Sequence, residues 1–178
     1  ILNANYMANR LGERFDVLVG GLGLGYTAAA ALRNPRVHSL TVVECLPPVV
    51  AWHRDGLLPL GRLLVEDERC RIETADFFEY FRTIDSTHDL ILVDIDHSPD
   101  SLLAKEHAAF YEPASVRSLH DRLQPAGLFG LWSAAPPGDP YVDGLRNVFE
   151  EVQIHTIEFH NPHIDEEDTN TILIARRG

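Results

Sequence analysis

Four glycines fall within the six residues Gly20-Gly21-Leu22-Gly23-Leu24-Gly25, directly after the apolar run Phe15 to Gly20 and just before the Ala-rich stretch Thr27 to Arg33. A strand, a glycine turn and a helix in that order make a cradle for a nucleotide or nucleoside. Glycine lets the backbone turn sharply and lets a ligand approach where a Cβ would otherwise stand. The helix that follows offers unpaired N–H groups at its start. The spacing narrows the ligand further. A dinucleotide loop reads G-x-G-x-x-G, whereas Gly21 to Gly25 reads G-x-G-x-G and the next residue is Tyr26. The Gly-Lys-Ser/Thr of a phosphate-binding P-loop is absent.

Three carboxylates stand at matching places downstream. Glu44 ends a second β-branched run about twenty residues past the loop, where an acid accepts both ribose hydroxyl protons. Asp76 ends a third strand on the side that faces the base. Its oxygens suit an exocyclic amine, and they equally suit the N-cap of the helix that Phe77 opens. Asp94 ends a fourth strand, beside the crevice where open α/β sheets bind their ligands.

These residues need a scaffold of alternating strands and helices. The apolar and β-branched runs Phe15 to Gly20, Ser39 to Glu44, Arg69 to Thr74, His88 to Asp94 and Leu128 to Ser133 predict five buried strands. Helices are predicted over Thr27 to Arg33, from Leu46 to about Leu58, from Asp76 to Arg82, over Glu106 to Leu123, and roughly over Tyr141 to Phe149. The break at Gln124-Pro125-Ala126-Gly127 stops the fourth of these. Val152 to Phe159 and Thr171 to Ala175 follow without an intervening helix, which predicts an antiparallel hairpin joined by the acidic segment His160 to Asn170. The pattern predicts a Rossmann-like three-layer α/β sandwich, with a mostly parallel seven-stranded sheet and a C-terminal antiparallel hairpin.

Composition restricts the partners. The 178 residues suit a single domain over 1–178. The formal net charge of −12 disfavours nucleic acid; it reads first as a device for solubility and second as a preference for a cationic small molecule. No run is long and apolar enough for a membrane helix, and Ile1 to Arg10 lacks the pattern of a signal peptide, so a cytoplasmic protein is expected. The absence of Met at position 1 suggests that N-terminal residues precede this sequence. Cys45 and Cys70 read as reduced, buried thiols, and without a Cys-x-x-Cys pattern no metal is expected.

At this point the chain resembles the spermidine synthases, the polyamine aminopropyltransferases, within the class I S-adenosylmethionine-dependent methyltransferase-like superfamily. The glycine loop, Val43-Glu44, Ala75-Asp76-Phe77-Phe78-Glu79-Tyr80-Phe81, Leu90-Ile91-Leu92-Val93-Asp94, Phe110-Tyr111 and Leu123-Gln124-Pro125-Ala126-Gly127 carry the resemblance, over roughly residues 5 to 135. It implies S-adenosylmethionine or its decarboxylated form as co-substrate, with Gly20, Gly21, Gly23, Gly25, Glu44, Asp76 and Asp94 around it. It also implies a small-molecule acceptor such as a polyamine, and allows a homodimer. The N-terminal β domain of typical members has no counterpart in this chain.

The sequence departs from the family at two places. The family's Asp-x-x-Asp-Pro after the fourth strand is here Asp94-Ile95-Asp96-His97-Ser98-Pro99-Asp100, and the usual acid inside the glycine loop is replaced by Leu22 and Leu24. His97 occupies the position of the second Asp. It reads first as a solvent-facing loop histidine; since its reference pKa lies near neutrality it is also the candidate base, with Asp96 to orient it or to bind a cationic amine. Three readings share the fold: aminopropyl transfer, ranked first; methyl transfer to a small molecule; and a non-catalytic nucleoside-binding member. His160, His163, Asp165, Glu166, Glu167 and Asp168 read first as a solvated charge run, then as a substrate lid, and last as metal ligands. Trp52, Trp132, Phe129 and Tyr141 read as core, with Trp132 the one to watch at the cleft. Arg10 and Arg14 precede the first strand and have no assigned role.

Overall fold

The computed structural model describes residues 12–162 and 165–178. The readings made on Ile1 to Arg10 and on His163 lie outside the described residues.

The elements run β1 (Phe15–Gly20), α1 (Tyr26–Leu32), β2 (Val37–Glu44), α2 (Pro47–Arg54), α3 (Gly61–Glu66), β3 (Cys70–Thr74), α4 (Phe77–Thr83), β4 (His88–Val93), a 3-10 helix (Lys105–Tyr111), α5 (Pro113–Asp121), β5 (Leu123–Ser133), α6 (Asp139–Arg146), β6 (Glu151–Asn161) and β7 (Glu166–Arg176). One seven-stranded sheet has the order β3-β2-β1-β4-β5-β7-β6. Its first five strands are parallel, and β7 pairs antiparallel with both β5 and β6. The Rossmann-like sheet with a C-terminal antiparallel hairpin is therefore as expected. The order turns back between β1 and β4, so the ends of those two strands flank the crevice.

Alternation along the strands builds two cores. Val17, Val19, Leu90 and Leu92 face one side, with Ala28, Ala29 and Ala31 of α1 and Leu64 of α3. Leu18, Ile91, Val93, Phe129 and Leu131 face the other, with Phe77 and Phe81 of α4, Phe110, and Leu119 of α5. Side chains at successive strand positions point to opposite faces, so a strand covered on both faces must be apolar throughout. The alanines of α1 let that helix lie close to the sheet, directly behind the glycine loop.

Four details differ from the sequence expectations. The helix expected over Glu106 to Leu123 is divided, because Glu112 is extended (φ −77°, ψ 157°) ahead of Pro113; proline disfavours helical geometry in the residue before it. The helix expected to reach Leu58 stops at Arg54, where Gly56 turns with φ +68°, and α3 forms in the stretch left unassigned. Cys45 is exposed and Cys70 half-buried, so the reading of two buried thiols is overturned. Trp52 is also surface, with 48% of its area exposed, because α2 turns it away from the sheet; Phe129 and Tyr141 are core as expected.

The acidic segment is mostly strand. Beyond Thr171, which pairs with Ser133 at the end of β5, five further pairs from Ile157–Asn170 to Asn161–Glu166 extend the β6–β7 ribbon past the sheet on the crevice side. That overhang measures roughly 17 Å at the usual rise per residue.

Candidate functional site

The glycine loop is held by backbone demands at three of its glycines. Gly21 has φ +92°, and a Cβ there would stand 2.2 Å from the Asp94 carbonyl oxygen. Gly25 has φ +88° and packs on Leu64 and His53. Gly23 has φ +47° and nothing within 4 Å of an added Cβ, so its outer face is open. Gly20 lies against the Phe77 ring. Each position therefore needs glycine for its own reason, of conformation or of space.

Glu44 anchors this loop. Its carboxylate accepts from Leu22 N at 3.0 Å, from Gly23 N at 3.5 Å and from Leu46 N at 2.9 Å, and the residue is only 8% exposed. Behind the loop, His53 is fully buried and its Nε2 donates to the Gly23 carbonyl oxygen at 3.0 Å. Sequence reasoning found Glu44 from its place at a strand end and missed His53, which lies in the last turn of α2 and meets the loop only through the packing of α2 on the sheet.

The other carboxylates gather around the same opening. A cleft of about 220 Å³ is bounded by Gly21, Gly23, Glu44, Cys45, Leu46, Asp76, Phe78, Asp94, Ile95, Leu103 and His107. Asp76 is exposed, and its Oδ1 accepts from Glu79 N at 2.9 Å, so the N-cap role holds and engages one of its two oxygens. Asp94 is exposed at the tip of β4 and accepts from Thr27 Oγ1 at 2.7 Å through Oδ2. Asp94 also borders a neighbouring hollow of about 250 Å³, where Trp132, half-buried, lies with Tyr26 and Thr27. Partial desolvation by its neighbours, and then the adjacent Glu44 charge, push the exposed Cys45 thiol above its ordinary value, so it is a poor nucleophile at the cleft edge.

The loop after β4 is arranged differently from the sequence reading. His97 is exposed, and its carbonyl oxygen accepts from Ala134 N at 2.7 Å, which ties the loop to the end of β5. Asp96 does not orient it. Asp96 is 2% exposed and accepts from Leu103 N at 2.8 Å, His107 Nδ1 at 2.7 Å and Tyr111 Oη at 3.0 Å. Its carboxylate is thus turned inward, because alternate residues of this extended loop face opposite ways, and the 3-10 helix brings two donors, His107 and Tyr111, to the inner side beside Leu103 N. Burial, and then the Asp96 charge, push the Tyr111 phenol up, so it remains an O–H donor. Asp100 Oδ2 accepts from Gly138 N at 2.8 Å, a second tie to the segment before α6. His107 was missed at the sequence level; the signal was its place four residues before Tyr111.

His160, Asp165 and Glu167 lie together at the ribbon tip, with His160 Nε2 3.3 Å from Asp165 Oδ1 and Nδ1 3.6 Å from Glu167 Oε1. All three side chains are more than half exposed, which fits a solvated charge run. Among the described residues, no helix is long and apolar enough to cross a membrane.

Comparison with known proteins shows what the chain and its fold are similar to. The chain is 28% identical over 104 residues to polyamine aminopropyltransferase 1 of Streptomyces coelicolor, covering 57% of this chain and 20% of that protein. Its fold matches a spermidine synthase in complex with the transition-state analogue AdoDATO, with TM-score 0.73, 20% identity, and 97% of this chain and 56% of that one covered. It also matches the spermidine synthase of Thermotoga maritima, with TM-score 0.72, 19% identity, and coverage of 99% and 60%. A third match is human methyltransferase-like protein 13 in complex with SAH, with TM-score 0.71, 20% identity, and coverage of 98% and 80%. No protein-family model matches the chain. The chain spans a fifth of the curated relative and under two thirds of the spermidine synthases. The resemblance to spermidine synthases within the methyltransferase-like superfamily is borne out.

Proposed function

We propose that this spermidine-synthase-like chain binds decarboxylated S-adenosylmethionine in the glycine-loop cleft and transfers its aminopropyl group to a cationic amine acceptor, a polyamine by preference. The observation that carries this is the convergence of Glu44, Asp76 and Asp94 on one cleft beside the loop. Glu44 would take the ribose hydroxyls and Asp76 the adenine amine, with Gly21 and Gly23 letting the ligand lie against the backbone. Binding at Glu44 exchanges part of its hydrogen bonding to the loop for the ribose, so the loop adjusts as the ligand enters.

The reaction is a displacement at the carbon next to a sulfonium. The acceptor nitrogen lone pair forms the new C–N bond while the C–S bond breaks, and the electron pair stays on sulfur in neutral methylthioadenosine. The nitrogen then loses a proton. Asp94, exposed and with one oxygen already bonded to Thr27, would align the incoming amine. His97, exposed on the same loop, would take the proton. The rate comes chiefly from holding nitrogen and carbon in line.

Methyl transfer from S-adenosylmethionine is the second reading. It is favoured by Leu22 and Leu24 standing where the spermidine synthases usually carry an acid in the loop. The co-substrates differ by one carboxylate, so one experiment separates the readings. Calorimetric titration with S-adenosylmethionine, its decarboxylated form and methylthioadenosine is expected to show preference for the decarboxylated form, and Asp76→Ala is expected to weaken all three alike. Preference for the carboxylated form would move the assignment to methyl transfer. Binding of none at millimolar concentration would remove the nucleoside site altogether.

A further inference from the structure

We infer that His107, held by the buried Asp96, is a second base-reading residue of the cleft and selects an adenine over a 6-oxopurine. The inference rests on the nucleoside site proposed above and deepens it. A second hollow of about 400 Å³ adjoins the cleft, and the residues common to both are Asp76, Phe78 and His107. These three therefore form the wall at one end, away from Gly21, Gly23 and Glu44, which border the cleft alone. The end next to Asp76 is the end that would receive the base.

His107 is prepared for one hydrogen-bonding role. The Asp96 carboxylate accepts from Leu103 N and Tyr111 Oη as well as from the His107 ring, and an accepting oxygen 2.7 Å from Nδ1 keeps the ring proton there. In the neutral ring Nε2 then carries the lone pair and is an acceptor. Nε2 has no partner among the described residues, while the side chain as a whole is 13% exposed. The Phe78 ring packs against the imidazole, with centroids 4.2 Å apart and planes tilted by 41°, which restricts its rotation. A carboxylate on Asp76 and a lone pair on His107 are both acceptors. Adenine offers two amino hydrogens, one for each. Hypoxanthine offers an oxygen at the same place and would face two acceptors without a donor. Buried or half-buried sites reject such a mismatch more strongly than they reject a missing group.

The test is calorimetric binding of adenosine, purine riboside (which lacks the 6-amino group) and inosine to the purified chain and to two variants. His107→Phe keeps an aromatic ring on Phe78 and removes the acceptor. Adenosine is expected to lose roughly 3- to 10-fold in affinity, the value of one hydrogen bond, while purine riboside is unchanged. Asp96→Asn presents an amide in place of the carboxylate. Where its N–H turns toward Nδ1, the ring proton moves to Nε2, which becomes a donor, and inosine is expected to gain on adenosine. Equal losses for adenosine and purine riboside in His107→Phe, or no loss for either, would overturn the inference while leaving the nucleoside site standing. Failure of the unsubstituted chain to bind any of the three nucleosides would instead remove the site itself.

Discussion

His53 Nε2 lies 3.0 Å from the carbonyl oxygen of Gly23, thirty positions earlier in the chain, and this contact supports the glycine loop from inside the protein. The ring is completely buried, Gly25 and Gly61 both pack on the residue, and its Nδ1 has no partner. The loop is thus pinned between a buried imidazole on its inner side and the Glu44 carboxylate, which takes its N–H groups. Replacing His53 by Ala leaves a cavity and an unpaired carbonyl. The expected cost is about 2–4 kcal/mol of stability, read from denaturant midpoints, with a weaker affinity for methylthioadenosine. His53→Gln, which can still donate, should recover part of both.

Two glycines of the loop should respond in opposite ways. Gly21→Ala places a Cβ against the Asp94 backbone in a left-handed conformation, and the strained strand ends must separate to admit it. A loss of stability above about 2 kcal/mol is expected. Gly23→Ala meets no protein atom and costs only the left-handed conformation, about 1 kcal/mol. Its new methyl group borders the cleft, so the expected signature is a near-native thermal midpoint with impaired nucleoside binding. If Gly23→Ala binds normally, the ligand does not approach the loop there.

Asp76 joins a structural and a proposed binding role in one side chain, and they can be separated. Asp76→Ala removes the cap on Glu79 N and should cost about 1 kcal/mol along with adenosine affinity. Asp76→Ser retains a capping oxygen but is too short to reach a base. It should keep most of the stability and still lose the affinity, as measured by parallel melting and titration.

Stability should fall on both sides of neutrality through two groups far from the cleft. Burial depresses His88 below its ordinary value of 6.5. The folded chain therefore resists protonation there while the unfolded chain does not, and stability declines as pH falls below about 6.5. Burial pushes the Cys70 thiol up to about 11, against an ordinary 9.0. The unfolded chain loses its proton first, so stability present below pH 9 is lost as the pH rises toward 11. Denaturant midpoints measured from pH 5 to 11 check both arms. His88→Gln should flatten the acid arm, and Cys70→Ala the alkaline one.

Much of the site was legible from local pattern. Glu44, Asp76 and Asp94 each close an apolar run, and parallel strands in a sheet of this kind must end at one edge. Their convergence follows from topology, and needs no knowledge of any side-chain contact. The same reasoning failed for Asp96. A sequence reading can place it beside His97, but it cannot say that the chain between Asp94 and Pro99 turns this carboxylate inward. Nor can it place His107 and Tyr111, which reach Asp96 across eleven and fifteen positions.

Periodicity and the glycine spacing alone therefore determined the sheet, its C-terminal hairpin, and the glycine loop at its crevice, because these depend on burial and on backbone freedom repeated over many residues. Only the tertiary structure decided which face each loop residue shows, that His53 and not solvent supports the loop, and that Asp96 serves His107. Such choices turn on single hydrogen bonds between distant segments, and their partners acquire a fixed distance only once the core around them has packed.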